Sequence, residues 1–179
     1  MADLPIETDF WRITESAFAW DEPEVAESVF ALSNGYIGTR GTLDEGEPGV
    51  FPGTFMSGVF EFHPLSYPED GYGHPDRGQA IVGVADGTLI TVEVDGEPLD
   101  IRHAPLERHA RTLDLRAGTL DRETEWTTAG GRRMRLRSTR LVSLTQRSAS
   151  AAMAVSTSGR HLPDPTLAYY FSAAEANPV

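Results

Sequence analysis

Two neighbouring segments of the chain constrain its fold more than any other feature, because they match each other as the two arms of one hairpin. Leu120–Thr127 and Arg133–Thr139 flank a loop at Ala129-Gly130-Gly131. If Trp126 faces Met134 in an antiparallel pair, then Thr124 faces Leu136, Glu125 faces Arg135 and Glu123 faces Arg137. One face is then largely apolar and the other carries two opposite-charge pairs, each able to contribute ~0.2–1 kcal/mol. A slip of one residue loses both matches. Such a pair belongs in an antiparallel sheet that is wet on one side.

The rest of the sequence repeats the β rhythm. Seventeen glycines and twelve prolines break the chain at short intervals, the punctuation of short strands joined by turns. Over Leu89–Asp100, Ile90, Val92 and Val94 alternate with Thr91, Glu93 and Asp95, the period-two pattern of a half-buried strand. Asp95-Gly96 supplies the pair that a two-residue hairpin turn prefers, since both central residues need positive φ. Thr54–Phe62 also reads as a strand, apolar and rich in aromatics. His63–Gln79 holds three prolines and several glycines and reads as an irregular surface loop. Glu22–Leu32 is the best candidate for a short helix or an extended lead-in. From Ala149 onward the chain runs through small residues without a clean period, and no secondary structure is assigned there.

Composition narrows the function classes. With 179 residues there is material for one good-sized core. A net charge of −12 gives no global basic field for nucleic acid or an anionic membrane. The absence of cysteine removes disulfides, thiolate nucleophiles and cysteine-ligated metals. The opening residues lack the basic start and apolar run of a signal peptide, and no stretch approaches the ~18 apolar residues of a membrane span. A cytoplasmic protein with no membrane partner is expected.

Candidate chemistry is thin. No G-x-S-x-G elbow, phosphate loop or dinucleotide fingerprint occurs. The spacings of His63 with His74 and of His103 with His109 do not suit a metal, and each reads as an ordinary surface or loop histidine. Asp44, Glu45 and Glu47 cluster in one loop and Glu69 and Asp70 in another, and such clusters are usually solvated. No catalytic pair of carboxylates is assigned, nor any cofactor. Trp11, Trp20, Tyr67 and Tyr72 could stack on sugar rings, although aromatics on a sandwich are more often core.

One segment stands apart. Glu27–Gly46 runs ESVFALSNGYIGTRGTLDEG, an apolar run entering an Asn34-Gly35 turn signal and leaving through glycines that allow close backbone packing. Arg40, between glycines, suits a multi-donor clamp on a carboxylate or on backbone carbonyls. Read alone, the segment is a tightly packed structural turn, with a ligand loop as the minority alternative.

The same segment resembles the opening signature of glycoside hydrolase family 65, the maltose, trehalose and kojibiose phosphorylase group. Glu27, Phe30, Asn34, Gly35, Gly38, Arg40, Gly41, Glu45 and Gly46 fall on the motif, while Ser33 stands where the family usually has glycine. Further segments resemble the family in order: Phe51–Gly58, Val94-Asp95-Gly96-Glu97, Arg111–Gly118, Trp126 and Ser138–Leu144. The resemblance covers roughly residues 10 to 148. It implies an all-β, antiparallel sandwich of the super-sandwich type with short helices and long loops, its C-terminal end left open as incomplete. It divides the chain into a domain over 1–148 and a divergent or frameshifted tail over 149–179. By the same resemblance the chain is a non-catalytic N-terminal fragment of an α-glucosidic disaccharide phosphorylase or hydrolase. The catalytic residues then lie on an (α/α)6 barrel beyond this chain, so none is carried over and the motif residues are structural. The partners implied are that barrel, a disaccharide and a second copy in the intact enzyme. A free-standing carbohydrate-binding module and a split subunit that joins a separately encoded barrel remain as alternatives.

Overall fold

The computed structural model describes residues 5–18, 23–46, 53–67, 69, 71–158 and 166–172. In chain order the elements are β1 (Ile6–Thr8), β2 (Arg12–Glu15), α1 (Pro23–Val29), β3 (Leu32–Ser33), β4 (Ile37–Thr39), β5 (Thr54–Pro64) and β6 (Arg77–Val84). They continue with β7 (Glu93–Val94), β8 (Glu97–Pro98), β9 (Leu106–Asp114), β10 (Thr119–Thr127), β11 (Arg133–Val142), β12 (Ala149–Ser158) and β13 (Thr166–Ser172). The fold is an all-β antiparallel sandwich. A seven-stranded sheet in the order β1-β2-β9-β10-β11-β12-β13 faces a four-stranded sheet, β3-β4-β5-β6, with β7-β8 as a separate ribbon.

The β10–β11 hairpin has the expected register: Trp126 opposite Met134, Thr124 opposite Leu136, Glu125 opposite Arg135 and Glu123 opposite Arg137. Because its inward face is apolar at both ends and polar in the middle, the core over the large sheet divides into two parts. Trp126, Met134, Leu136, Ala152 and Ala154 are covered by Leu43, Ile90, Leu99 and Ile101 from the connecting segments. Leu113, Leu120 and Val142 are covered by Ala26 and Phe30 of the α1 region and by Leu32 and Ile37 of the small sheet. Burial of the leucine, isoleucine, valine, phenylalanine and methionine side chains among them stabilises by about 1.5–3 kcal/mol each.

The Asp95-Gly96 turn forms as read, with φ of 55° and 80°. The strands beside it are shorter than the alternation suggests, only Glu93–Val94 and Glu97–Pro98. Leu99 N–H still donates to the Val92 carbonyl at 2.7 Å, but Ile90 and Leu99 are taken into the core instead of extending a ladder. Helix α1 begins on Pro23, whose missing N–H costs nothing in a first turn. It buries Ala26 and Glu27.

Three expectations need correction. The loop read over His63–Gln79 is shorter, because β5 runs to Pro64 and β6 starts at Arg77, with Phe62 opposite Gln79 and His63 opposite Gly78. The chain after Ala149 contributes two strands, β12 pairing with β11 from Val142–Ser150 to Met134–Ser158 and β13 pairing with β12. Its alternation is real but muted: Ala152 and Ala154 are buried while Met153 is exposed, and alanine on the inward face gives little hydrophobic contrast. His109 is not a surface histidine, since it lies on the inward face of β9 and is buried.

Candidate functional site

The Glu27–Gly46 segment lies across the inner face of the large sheet, over a layer of buried charge that separates the two apolar clusters. The sheet supplies the cations. Directly opposite positions share a face, so continuing the Trp126–Met134 and Thr124–Leu136 face along the hairpin brings Arg122 opposite Ser138 and Arg140 opposite Leu120. On the other side Arg111 of β9 lies opposite Arg122. All three arginines are buried, and charge can be held there only if paired.

The segment supplies the anions. Arg140 reaches one carboxylate oxygen of Asp44 through both Nε and Nη2 at 2.6 Å. The other oxygen accepts from the Ser138 hydroxyl and from Arg122 Nη1 at 3.3 Å. Arg122 also grips Glu45 with both terminal nitrogens, Nη2 at 2.7 Å. Burial works to raise the Asp44 pKa, but the charges of Arg140 and Arg122 and the Ser138 hydrogen bond outweigh it, so the carboxyl is held below its usual range. Burial likewise opposes the Arg122 charge, and Glu45 and Asp44 more than restore it.

Glu15 of β2 extends the layer. Arg111 donates to it through Nε and, through Nη1, to the Gly41 carbonyl at 2.6 Å, while its guanidinium lies over the Phe30 ring at 4.6 Å. His109 Nε2 sits 3.5 Å from Glu15 and makes no hydrogen bond. Burial raises the Glu15 pKa, yet contact with His109 and Arg111 brings it below its ordinary value. Burial pushes His109 down, Glu15 pulling it up only in part, so the ring favours its neutral form.

The remaining motif residues hold this arrangement in place. Arg40 clamps the buried Glu27 carboxylate through Nη1 at 3.0 Å, and the Gly41 N–H donates to the Glu27 carbonyl at 2.8 Å. Burial still outweighs Arg40 and leaves the Glu27 pKa raised. Gly41 has no space for a side chain, because a Cβ would lie 2.5 Å from that of Phe30. Asn34 Oδ1 accepts from the Tyr36 and Ile37 N–H groups. Its Nδ2 donates to the Ser143 and Arg147 carbonyls at 2.6 and 2.9 Å, tying the small sheet to the β11–β12 connection. Gly35 and Gly46 take positive φ. Gly38 has only ordinary contact with Ser33.

Asp44 and Glu45 therefore correct the reading of solvated loop acids; Glu47 lies outside the described residues, Glu69 is exposed, and Asp70 also lies outside them. The sequence reading missed Glu15, Arg111, Arg122 and Arg140. The signal was available in the hairpin register, which places Arg122 and Arg140 on the inward face.

A separate cleft of about 250 Å³ is lined by Pro98, Asp100, His103, Trp126 and Thr127 among others. Its acid is already occupied, Asp100 being bound by Arg102 and by His103 at 3.1 Å, and Trp126 is buried. Of the aromatics read as sugar platforms, Trp11 is exposed beside the β1–β2 turn, whereas Tyr67 and Tyr72 are exposed in the β5–β6 connection. Trp20 lies outside the described residues.

The model of glycosyl hydrolase family 65, N-terminal domain, matches residues 13–158, which takes in the whole layer and its covering segment. The chain belongs to glycosyl hydrolase family 65. An uncharacterized glycosyl hydrolase of Mycobacterium tuberculosis is 46% identical over 148 residues, 83% of this chain and 19% of that protein. An alpha,alpha-trehalose phosphorylase of Thermoanaerobacter brockii is 37% identical over 145 residues, 79% of this chain and 19% of the relative. A solved structure assigned as a kojibiose phosphorylase from the human microbiome superposes with a TM-score of 0.79 at 28% identity, covering 88% of this chain and 21% of that one. The family 65 chain described here thus spans about a fifth of the length of these relatives. No helix among its described residues is long and apolar enough to cross a membrane.

Proposed function

We propose that this chain serves as the non-catalytic N-terminal domain of an α-glucosidic disaccharide phosphorylase or hydrolase. The observation that carries the reading is the fate of the carboxylates in the Glu27–Gly46 segment. Glycoside cleavage needs two carboxyl groups set on either side of an open sugar site. Asp44, Glu45 and Glu27 instead sit inside the sandwich, each held by arginine. Asp44 and Glu45 neutralise buried cations and fasten the covering segment to the sheet, and Glu27 holds the segment to itself through Arg40.

The chemistry then belongs to polypeptide outside this chain, a catalytic barrel in the resemblance drawn from the sequence, with a disaccharide as its substrate and a second copy in the assembled enzyme. A cytoplasmic setting goes with this reading, and the lack of cysteine suits it.

The test is an assay of the purified 179-residue chain with maltose, trehalose or kojibiose and inorganic phosphate. The expected result is no release of glucose 1-phosphate. Turnover by a homogeneous sample would overturn the proposal. Calorimetric titration with the same sugars addresses a free-standing binding module: saturable heat from the folded chain would favour that reading.

A further inference from the structure

The two outer faces of the sandwich are unlike each other. On the large sheet the outward side is built for water. Arg12 pairs with Asp114 at 3.1 Å, Arg108 with Glu123 at 3.5 Å, Arg137 with Glu123 at 3.4 Å, and Arg135 with Glu125. These exposed pairs add little stability each, but they keep that face solvated.

The small sheet has no such coat. Its outward face follows from the register: Gly38 lies opposite Phe55, Phe55 opposite Gly83, and Phe60 opposite Ile81. Phe62, two residues beyond Phe60, shares the same side. Arg77 at the far end is the single charged residue on these outward strand positions among the described residues. Phe60, Phe62 and Ile81 are 40%, 68% and 50% exposed. A bulge between Phe55 and Phe60, with Gly58 at a φ of 93°, lets β5 carry these side chains out along the hairpin. Glycine at 38 and 83 leaves the rest of the face flat. A contiguous apolar surface of this kind marks a contact that is made elsewhere.

We propose that the outer face of the β3–β6 sheet, centred on Phe60, Phe62 and Ile81, is the surface by which this domain docks on the polypeptide that follows it in family 65 enzymes. This rests on the reading of the chain as an N-terminal domain. Two observations choose the occupant. The match is to a domain named for the N-terminal position, and about four fifths of each relative lies outside the matched part. The face also carries almost no charge, so it fits an apolar, permanently apposed surface of the same polypeptide rather than a charged ligand.

The experiment co-expresses the 179-residue chain with the mycobacterial relative shortened by its own N-terminal domain, and measures how much of the shortened relative is recovered on the chain. The wild-type chain is expected to recover it. Phe62→Lys and the double variant Phe60→Ser/Phe62→Ser are expected to lower recovery about tenfold or more. Glu123→Gln on the opposite face is expected to leave it unchanged. Phe62 is exposed enough that its substitution leaves the core intact, and an unchanged unfolding midpoint verifies this. Recovery unaffected by the Phe60 and Phe62 variants would overturn the surface while leaving the domain reading standing. No recovery by the wild-type chain would overturn that reading and the proposal with it. A wild-type dimer in sedimentation that Phe62→Lys dissociates would give the face to a second copy instead, and overturn the stated occupant.

Discussion

Arg140 on β11 and Asp44 in the segment after β4, ninety-six residues apart in the chain, meet at 2.6 Å inside the sandwich. Neither is tolerable there alone. The pair, with Ser138, Arg122 and Glu45 around it, turns the middle of the large sheet into a polar seam that only one placement of the covering segment can satisfy. Registry of this kind is what a buried ionic cluster can contribute even where an apolar replacement would be equally stable.

Gly41 makes the placement tight. A methyl group there meets the Cβ and backbone of Phe30 at 2.5 to 2.8 Å, with backbone that cannot swing away. Gly41→Ala is expected to cost about 1–3 kcal/mol. Gly130→Ala, where the nearest atom is Thr128 Oγ1 at 3.7 Å, serves as the comparison and is expected to be close to neutral. Urea unfolding followed by tryptophan fluorescence distinguishes the two, and equal midpoints would refute the packing argument.

Asn34 joins the sheets through four hydrogen bonds, two closing its own turn and two reaching the Ser143 and Arg147 carbonyls. Asn34→Ala is expected to destabilise by about 1–3 kcal/mol. Asn34→Asp should keep the turn, because Oδ1 still accepts, but lose both donations. Amide exchange is the measurement: Asp should speed exchange in the β11–β12 connection while leaving the Ile37 N–H protected.

The proteins that resemble this one are named for different activities, so the legible part of this sequence concerns structure first. The β10–β11 register and the Asp95-Gly96 turn could be read because their determinants are local: charge pairs across one hairpin, and two residues needing positive φ. Of the arginine layer, the hairpin register places Arg122 and Arg140 inward, but nothing local names their partners. Arg122 partners Asp44 and Glu45 more than seventy residues away, and an arginine on its own suggests an outward position. Strand β12 was hidden for a different reason, since its inward residues Ala152 and Ala154 barely differ in hydrophobicity from their neighbours. Motif resemblance singled out Glu27, Arg40, Asn34 and Glu45, and geometry supplied what each of them does.

Stability should fall with pH in two stages. His109 is held below its ordinary 6.5 by burial and by the nearby charges of Arg122 and Arg111, against the pull of Glu15. As pH falls through 6.5 the unfolded chain therefore takes up a proton that the folded chain resists, and stability declines. Glu15 and Asp44 are held below 4.5 and 3.8, so their contribution is complete above those values and lost as pH falls through their lowered ones. Glu27, raised by burial, works the other way and earlier, since the folded chain takes up its proton above 4.5, before the second stage begins. Urea midpoints taken from about pH 7.5 down to about pH 2.5 should fall as pH drops through 6.5 and fall again below 4.5, and His109→Gln should flatten the first stage.

The most direct test of a structural role for the Glu27–Gly46 segment compares two carboxylates in one experiment. Asp44→Asn leaves Arg140 and Arg122 buried with their partner's charge removed, and is expected to cost about 3–5 kcal/mol. Glu123→Gln removes an acid that bridges three arginines on the exposed face, and is expected to cost about 1 kcal/mol or less. A large drop in the unfolding midpoint for Asp44→Asn beside a small one for Glu123→Gln is the predicted result. An Asp44→Asn chain as stable as the wild type would contradict the account, because the segment's buried acid would then be held in place for something other than the fold.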